Sequence, residues 1–108
     1  MSKFMSALHT LYTPDDLKRF KCVDTAGQAT VWVDVHGMTC RQARRLIDNL
    51  INLSDCSLRL AVIHGYNHGT ALSKMVRNDI DNKRILTRVG CKYNPGITFL
   101  DISGYAHD

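Results

Sequence analysis

From residue 30 onward, apolar and polar positions follow regular periods. Residues 30–35 are mostly β-branched or aromatic and read as a strand. Alternation puts Val31, Val33 and Val35 on one face. Trp32, Asp34 and His36 fall on the other, and Gly37 breaks the strand. The period then changes. Ala43, Leu46, Ile47, Leu50 and Leu53 recur at helical spacing, with Arg41, Arg45, Asp48 and Asn52 facing outward. Thr39 and Gln42 have the spacing of a capping box, so the helix starts just after Thr39 and runs to about Leu53. Residues 58–63 are a near-continuous apolar run, as in a central strand buried on both faces. A loop at 64–69 follows. Gly69 or Thr70 then caps a second helix that turns Leu72, Met75, Val76 and Ile80 inward. Residues 84–89 and 97–102 read as two further strands, linked by a loop that holds Asn94, Pro95 and Gly96.

The order is β-α-β-α-β-β over residues 30–104, with 1–29 as a partly helical N-terminal extension and 105–108 as a tail. In the extension Thr13 and Pro14 mark a helix start, and Thr25-Ala26-Gly27 reads as a turn. A strand–helix–strand alternation implies parallel strands with both helices on one face of the sheet. The expected fold is therefore an α/β (α+β) two-layer sandwich. The link between the last two strands is too short for a parallel crossover, so they should pair antiparallel or lie apart. A two-layer fold leaves the other sheet face open. Alternation assigns Trp32, Arg59, Arg84 and Arg88 to that face. Such a face is either a platform that stacks a base or a surface over which residues 1–29 fold to bury Trp32.

Length and composition narrow the class. The chain has 108 residues and 44% apolar residues, which suits one globular domain. No apolar run approaches the roughly 18 residues of a membrane helix. Lys3, His9, Asp15 and Asp16 interrupt the N-terminal apolar residues, so a secretory leader is not expected and the cytoplasm is the expected location. Cys22, Cys40, Cys56 and Cys91 are scattered without a C-x-x-C pair, so they carry no zinc or redox signal.

The net charge is +4, but its distribution is more telling. Between Gly37 and Lys92 stand Arg41, Arg44, Arg45, Arg59, Lys74, Arg77, Lys83, Arg84, Arg88 and Lys92, against Asp48, Asp55, Asp79 and Asp81. That excess favours a polyanionic partner. The plainer reading of the helix arginines is a solvated surface.

Candidate chemistry gathers at one end of the sheet. Parallel strands end at the same edge, where open α/β sheets bind ligands. Asp34 and His36 close the first strand on one face, and His64 closes the second, with His68 in the loop beyond. An imidazole can accept and return a proton near neutral pH, and an adjacent carboxylate fixes its tautomer. Gly65 and Gly69 let the loop backbone approach a phosphate at the start of the next helix. Metal binding by Asp34, His36 and His64 is the alternative.

These residues resemble the Smr (small MutS-related) domain family. Its first motif is matched by Val33-Asp34-Val35-His36-Gly37-Met38-Thr39 and the following Gln42-Ala43. Its second is matched by His64-Gly65-Tyr66-Asn67-His68-Gly69 ahead of Leu72, Lys74, Val76 and Arg77. A closing strand is matched by Gly96-Ile97-Thr98-Phe99-Leu100. The resemblance covers about residues 30–102 and is to a free-standing Smr protein. It departs from the family at Val33, where Leu is usual, at Asn67, where the family has a middle glycine, and in the 91–96 loop.

The resemblance implies a fold akin to the C-terminal domain of bacterial translation initiation factor three. It implies binding of RNA or DNA, with the ribosome among the partners, and endonuclease activity. A binding module without catalysis is the other expectation. Asp34, His36 and His64 would be catalytic. The expected substrate contacts are Gly65, Tyr66, Asn67, His68, Gly69 and Thr70 in the loop, with Arg41, Lys74, Arg77 and Lys92 around it. No cofactor is expected, with a divalent metal as the alternative.

Overall fold

The alternating stretch over residues 30–35 falls largely in the second strand of a five-stranded mixed sheet. The computed structural model describes residues 8, 10, 12–25, 28–54, 56–65 and 70–104. Strands β1 (Phe20–Thr25), β2 (Gln28–Asp34), β3 (Leu58–Ile63), β4 (Ile85–Gly90) and β5 (Ile97–Ile102) pair in the order β1-β2-β3-β5-β4. β2 and β3 are parallel, with Asp34 opposite Ile63, and every other pair is antiparallel. The last two strands thus pair antiparallel, one of the two arrangements their short link allows.

Helices with defined bounds among the described residues accompany the sheet. α1 (Pro14–Leu17) is one turn, begun by Thr13, whose hydroxyl accepts the Asp16 N–H at 3.2 Å. α2 (Cys40–Leu53) begins at the expected capping box. The Thr39 hydroxyl accepts the Gln42 N–H at 3.1 Å, and the Gln42 side chain accepts the Thr39 N–H at 3.0 Å. α2 buries Ala43, Leu46, Ile47, Leu50 and Ile51 against the sheet. α3 (Ala71–Lys74) runs into a wider π turn, Met75–Asp79, closed where the Ile80 N–H donates to the Met75 carbonyl at 2.8 Å. Thr70 precedes α3 but makes no side-chain cap. Val31, Val33 and Val35 meet Leu58, Leu60, Val62, Leu100, Met75, Val76 and Ile80 in one core between the layers. The chain is therefore a two-layer α/β sandwich. Among the described residues, no helix is long and apolar enough to cross a membrane.

Three departures from the expected arrangement concern the N-terminal segment and the faces of the sheet. First, residues 20–25 fall within the expected N-terminal extension, yet they form edge strand β1 against residues 28–33 of β2. Leu8 is buried in the core, and Tyr12, Leu17 and Phe20 pack against it. Leu8, Tyr12 and Leu17, which precede β1, therefore pack on the helix side and not over Trp32.

Second, Arg84 is not on the open face. It is 7% exposed, and its guanidinium donates to the carbonyls of Ile51 and Ser54 (both 2.6 Å), Cys56 (3.3 Å) and Ser103 (2.9 Å). It thereby neutralises the carbonyl end of α2, where the helix dipole is negative. Third, Arg88 is also on the helix side. A bulge at Leu86 sets Ile85 opposite Ile102 but Thr87 opposite Asp101. That extra residue shifts the phase by one. Arg88 then lies opposite buried Leu100 and donates to the carbonyls of Val76 and Ile80, while Val89 turns outward. Of the expected open-face set, Trp32 and Arg59 remain. Trp32 meets Phe99 edge-on at 6.1 Å, and Arg59 lies 5.5 Å from the same ring and binds Asp101 at 2.8 Å.

Candidate functional site

The parallel pairing of β2 and β3 carries the two motifs to one edge of the sheet. The Val35 N–H donates to the Ile63 carbonyl at 2.9 Å, so the two strands stay together past Asp34. Beyond β3, the N–H groups of His64 and Gly65 both donate to the Gly96 carbonyl, at 2.9 and 3.1 Å. This ties the second motif to the start of β5. Gly37 and Gly65 adopt positive φ, at 82° and 77°. A Cβ on Gly65 would stand 3.7 Å from the His36 Cβ, so the second motif lies directly against the first.

Asp34 and His36 form one unit. The Asp34 carboxylate binds the His36 Nδ1 and accepts the His36 backbone N–H at 3.1 Å. In the neutral ring, donation of Nδ1–H to the carboxylate leaves the lone pair on Nε2. The His36 side chain is 67% exposed. The dyad is thus an oriented base at the surface. Arg19 flanks it, donating from its guanidinium to the Asp34 carbonyl at 3.0 Å.

His64 is in a different state. It is 4% exposed, and both ring nitrogens are engaged. A carbonyl can only accept, so Nδ1 donates to the Gly65 carbonyl at 2.8 Å. Nε2 therefore accepts from the Thr98 hydroxyl at 2.8 Å, and the Thr98 oxygen accepts from Arg77 Nε at 3.0 Å. Burial holds the His64 pKa below the ordinary 6.5, the Arg77 charge adds to that effect, and the Gly65 carbonyl opposes it. The ring is neutral and holds the Gly65 turn in place. This geometry does not suit Asp34, His36 and His64 as a metal triad, because neither His64 nitrogen is free. Among the described residues, no cluster of three or more His, Cys, Asp or Glu side chains is arranged to hold a metal ion.

The remaining expected contacts separate into groups. Tyr66, Asn67, His68 and Gly69 lie outside the described residues. Arg77 is turned inward to Thr98 and to the Pro95 carbonyl (3.4 Å). Thr70, Lys74, Lys92 and Arg41 are exposed at the surface. Two residues outside the expected set matter here, Thr98 and Arg19. Thr98 lies within the closing-strand match, so its position was marked although its partner was not. Arg19 precedes β1 in the N-terminal segment, where no sequence motif marks it. Comparison with protein families, with curated proteins and with solved structures finds no match to this chain.

Proposed function

We propose that this chain is a nucleic-acid-binding protein of the Smr type that acts in the cytoplasm as an endonuclease. The observation that carries the reading is the exposed Asp34–His36 dyad, aligned beside the Gly65 turn at the shared end of two parallel strands. His36 Nε2 would take the proton from an RNA 2′-hydroxyl. The 2′-oxygen then attacks phosphorus, the bond to the 5′-oxygen breaks, that oxygen takes up a proton from solvent water, and a 2′,3′-cyclic phosphate remains; the proton on His36 returns to solvent. Asp34 keeps the ring in the tautomer that can accept. His64 serves as a positioning residue, since its nitrogens are spent on Gly65 and Thr98. The local excess of positive charge supports a polyanionic partner, ribosomal RNA included.

The test is cleavage and binding of labelled RNA and DNA by the wild-type protein and by His36→Ala. General acid–base groups contribute about 10²–10⁴-fold to rate and little to ground-state affinity. His36→Ala should therefore abolish cleavage while binding is nearly unchanged, and Asp34→Asn should lose less. Full activity in His36→Ala would end the proposal.

The engaged state of His64 also favours a second reading, a binding module without catalysis. In that case wild-type protein would bind RNA and leave it intact.

A further inference from the structure

The N-terminal segment and α2 enclose a cleft of about 240 Å³ beside the dyad. Its floor is apolar. Phe20, Met38 and Leu46 line it, and the Tyr12 ring meets Phe20 edge-on at 5.4 Å. Its rim carries Arg19, Arg41 and Arg45. Arg41 and Arg45 are one helical turn apart on α2, so they stand over the same side of the cleft. Among the described residues neither has an ion-pair or hydrogen-bond partner. The cleft's one carboxylate, Asp16, accepts from the Thr13 hydroxyl at 3.0 Å.

Two features separate this from a solvated arginine face. The arginines rim an apolar hollow, and that hollow adjoins the candidate catalytic pair. Arg19 lines the cleft and also donates to the Asp34 carbonyl at 3.0 Å, while Met38 is two residues beyond His36. Pockets that enclose drug-sized ligands run to about 300–1,000 Å³, so this smaller one suits a single flat ring system with its anionic group at the rim. Aromatic and sulfur-bearing floors accept a nucleobase by stacking and dispersion. Arginine forks suit phosphate.

We propose that the cleft is a subsite for one nucleotide of a single strand. The base lies over Tyr12, Phe20 and Met38, and its phosphate is held by Arg41 and Arg45. From there the strand passes Arg19 to reach the Asp34–His36 dyad. The passage of the strand rests on the nucleic-acid reading above. The chemistry of the cleft itself does not.

The test uses adenosine 5′-monophosphate and an uncleavable 2′-O-methyl trinucleotide as probes, read by NMR at the Met38 methyl and the His36 ring. Both probes should shift Met38, and the trinucleotide should also shift His36. Arg41→Gln with Arg45→Gln should weaken both probes at least about tenfold, as expected for lost charge-assisted hydrogen bonds. Arg44→Gln, on the same helix but off this cleft, should leave the response intact. A silent Met38, or an equal response in the double variant, overturns the subsite. A response to the mononucleotide without any His36 shift from the trinucleotide overturns the strand path and assigns the cleft to a free nucleotide. Cleavage that persists while Met38 stays silent would sink the subsite and spare the nuclease. Probe binding without cleavage would do the reverse.

Discussion

Replacing His64 with glutamine should remove a pH dependence from the protein's stability. In the folded chain the ring is 4% exposed, donates from Nδ1 to Gly65 and accepts at Nε2 from Thr98. A second ring proton would face the Thr98 oxygen, which already accepts from Arg77 at 3.0 Å. It would also place a buried charge near the Arg77 guanidinium. Burial first, and then Arg77, therefore depress the folded pKa below 6.5. Above that value both folded and unfolded chains hold a neutral ring, and the His64 contribution is complete. As the pH falls below it, the unfolded chain takes up a proton that the folded chain refuses. Stability should then fall by about 1.4 kcal/mol per pH unit until the folded ring itself protonates. With a urea m-value of about 1–3 kcal/mol/M, one such unit moves the unfolding midpoint by about 0.5–1.4 M. Glutamine can still donate and accept, but it does not titrate. Urea unfolding of both proteins from about pH 8 to about pH 5, read as the difference between them, cancels every other titrating group. If the two proteins lose stability in parallel, the ring protonates freely in the folded state. The positioning role argued for His64 would then be wrong.

Three further outcomes can be checked directly. Arg84→Met leaves the carbonyls of Ile51, Ser54, Cys56 and Ser103 without their shared donor, and should cost about 3 kcal/mol or more in urea unfolding. A loss under about 1 kcal/mol would contradict the cap. RNA cleavage should persist in excess chelator and end in a 2′,3′-cyclic phosphate, because the 2′-hydroxyl needs no metal to become the nucleophile; a strict divalent requirement would overturn this. Trp32 fluorescence should not respond to single-stranded RNA, because the one arginine beside Phe99 on that face, Arg59, is spent on Asp101. Strong quenching would restore the platform reading of the open face.

Where the sequence is legible, the determinants are local. The capping box links residues three apart, and the stripe of α2 repeats within one element. The parallel β2–β3 pair follows from strand, helix and strand in succession. Asp34 and His36 are two residues apart at the end of one strand, so their joint position could be read before any tertiary contact was known. Strand β1 was harder. Its outward positions include apolar Val23 beside Lys21, so Phe20 and Cys22 give only a faint alternation. Its partner β2 reads as a strand on its own, and nothing in β2 announces which strand will lie at its edge.

The other differences arise from contacts that no local period encodes. One extra residue at Leu86 is enough to send Arg88 toward the helix layer and Val89 outward, because side-chain direction in a strand has period two. Arg84 finds its acceptors about thirty residues away in α2, and His64 finds Thr98 thirty-four residues away in β5. Spacing therefore located both histidines at the same edge of the sheet, but it could not say which had a nitrogen to spare. That distinction decides the chemistry. His36 is held by a carboxylate from its own strand end and keeps one ring nitrogen unengaged. His64 is held by two different elements and has none to give. Among the described residues this edge offers one imidazole with an unengaged nitrogen, an arrangement that supports proton abstraction more readily than paired acid and base catalysis. On the proposed nuclease reading, a 2′-hydroxyl would therefore suit this edge better than a water molecule, which would need further activation before it could attack DNA.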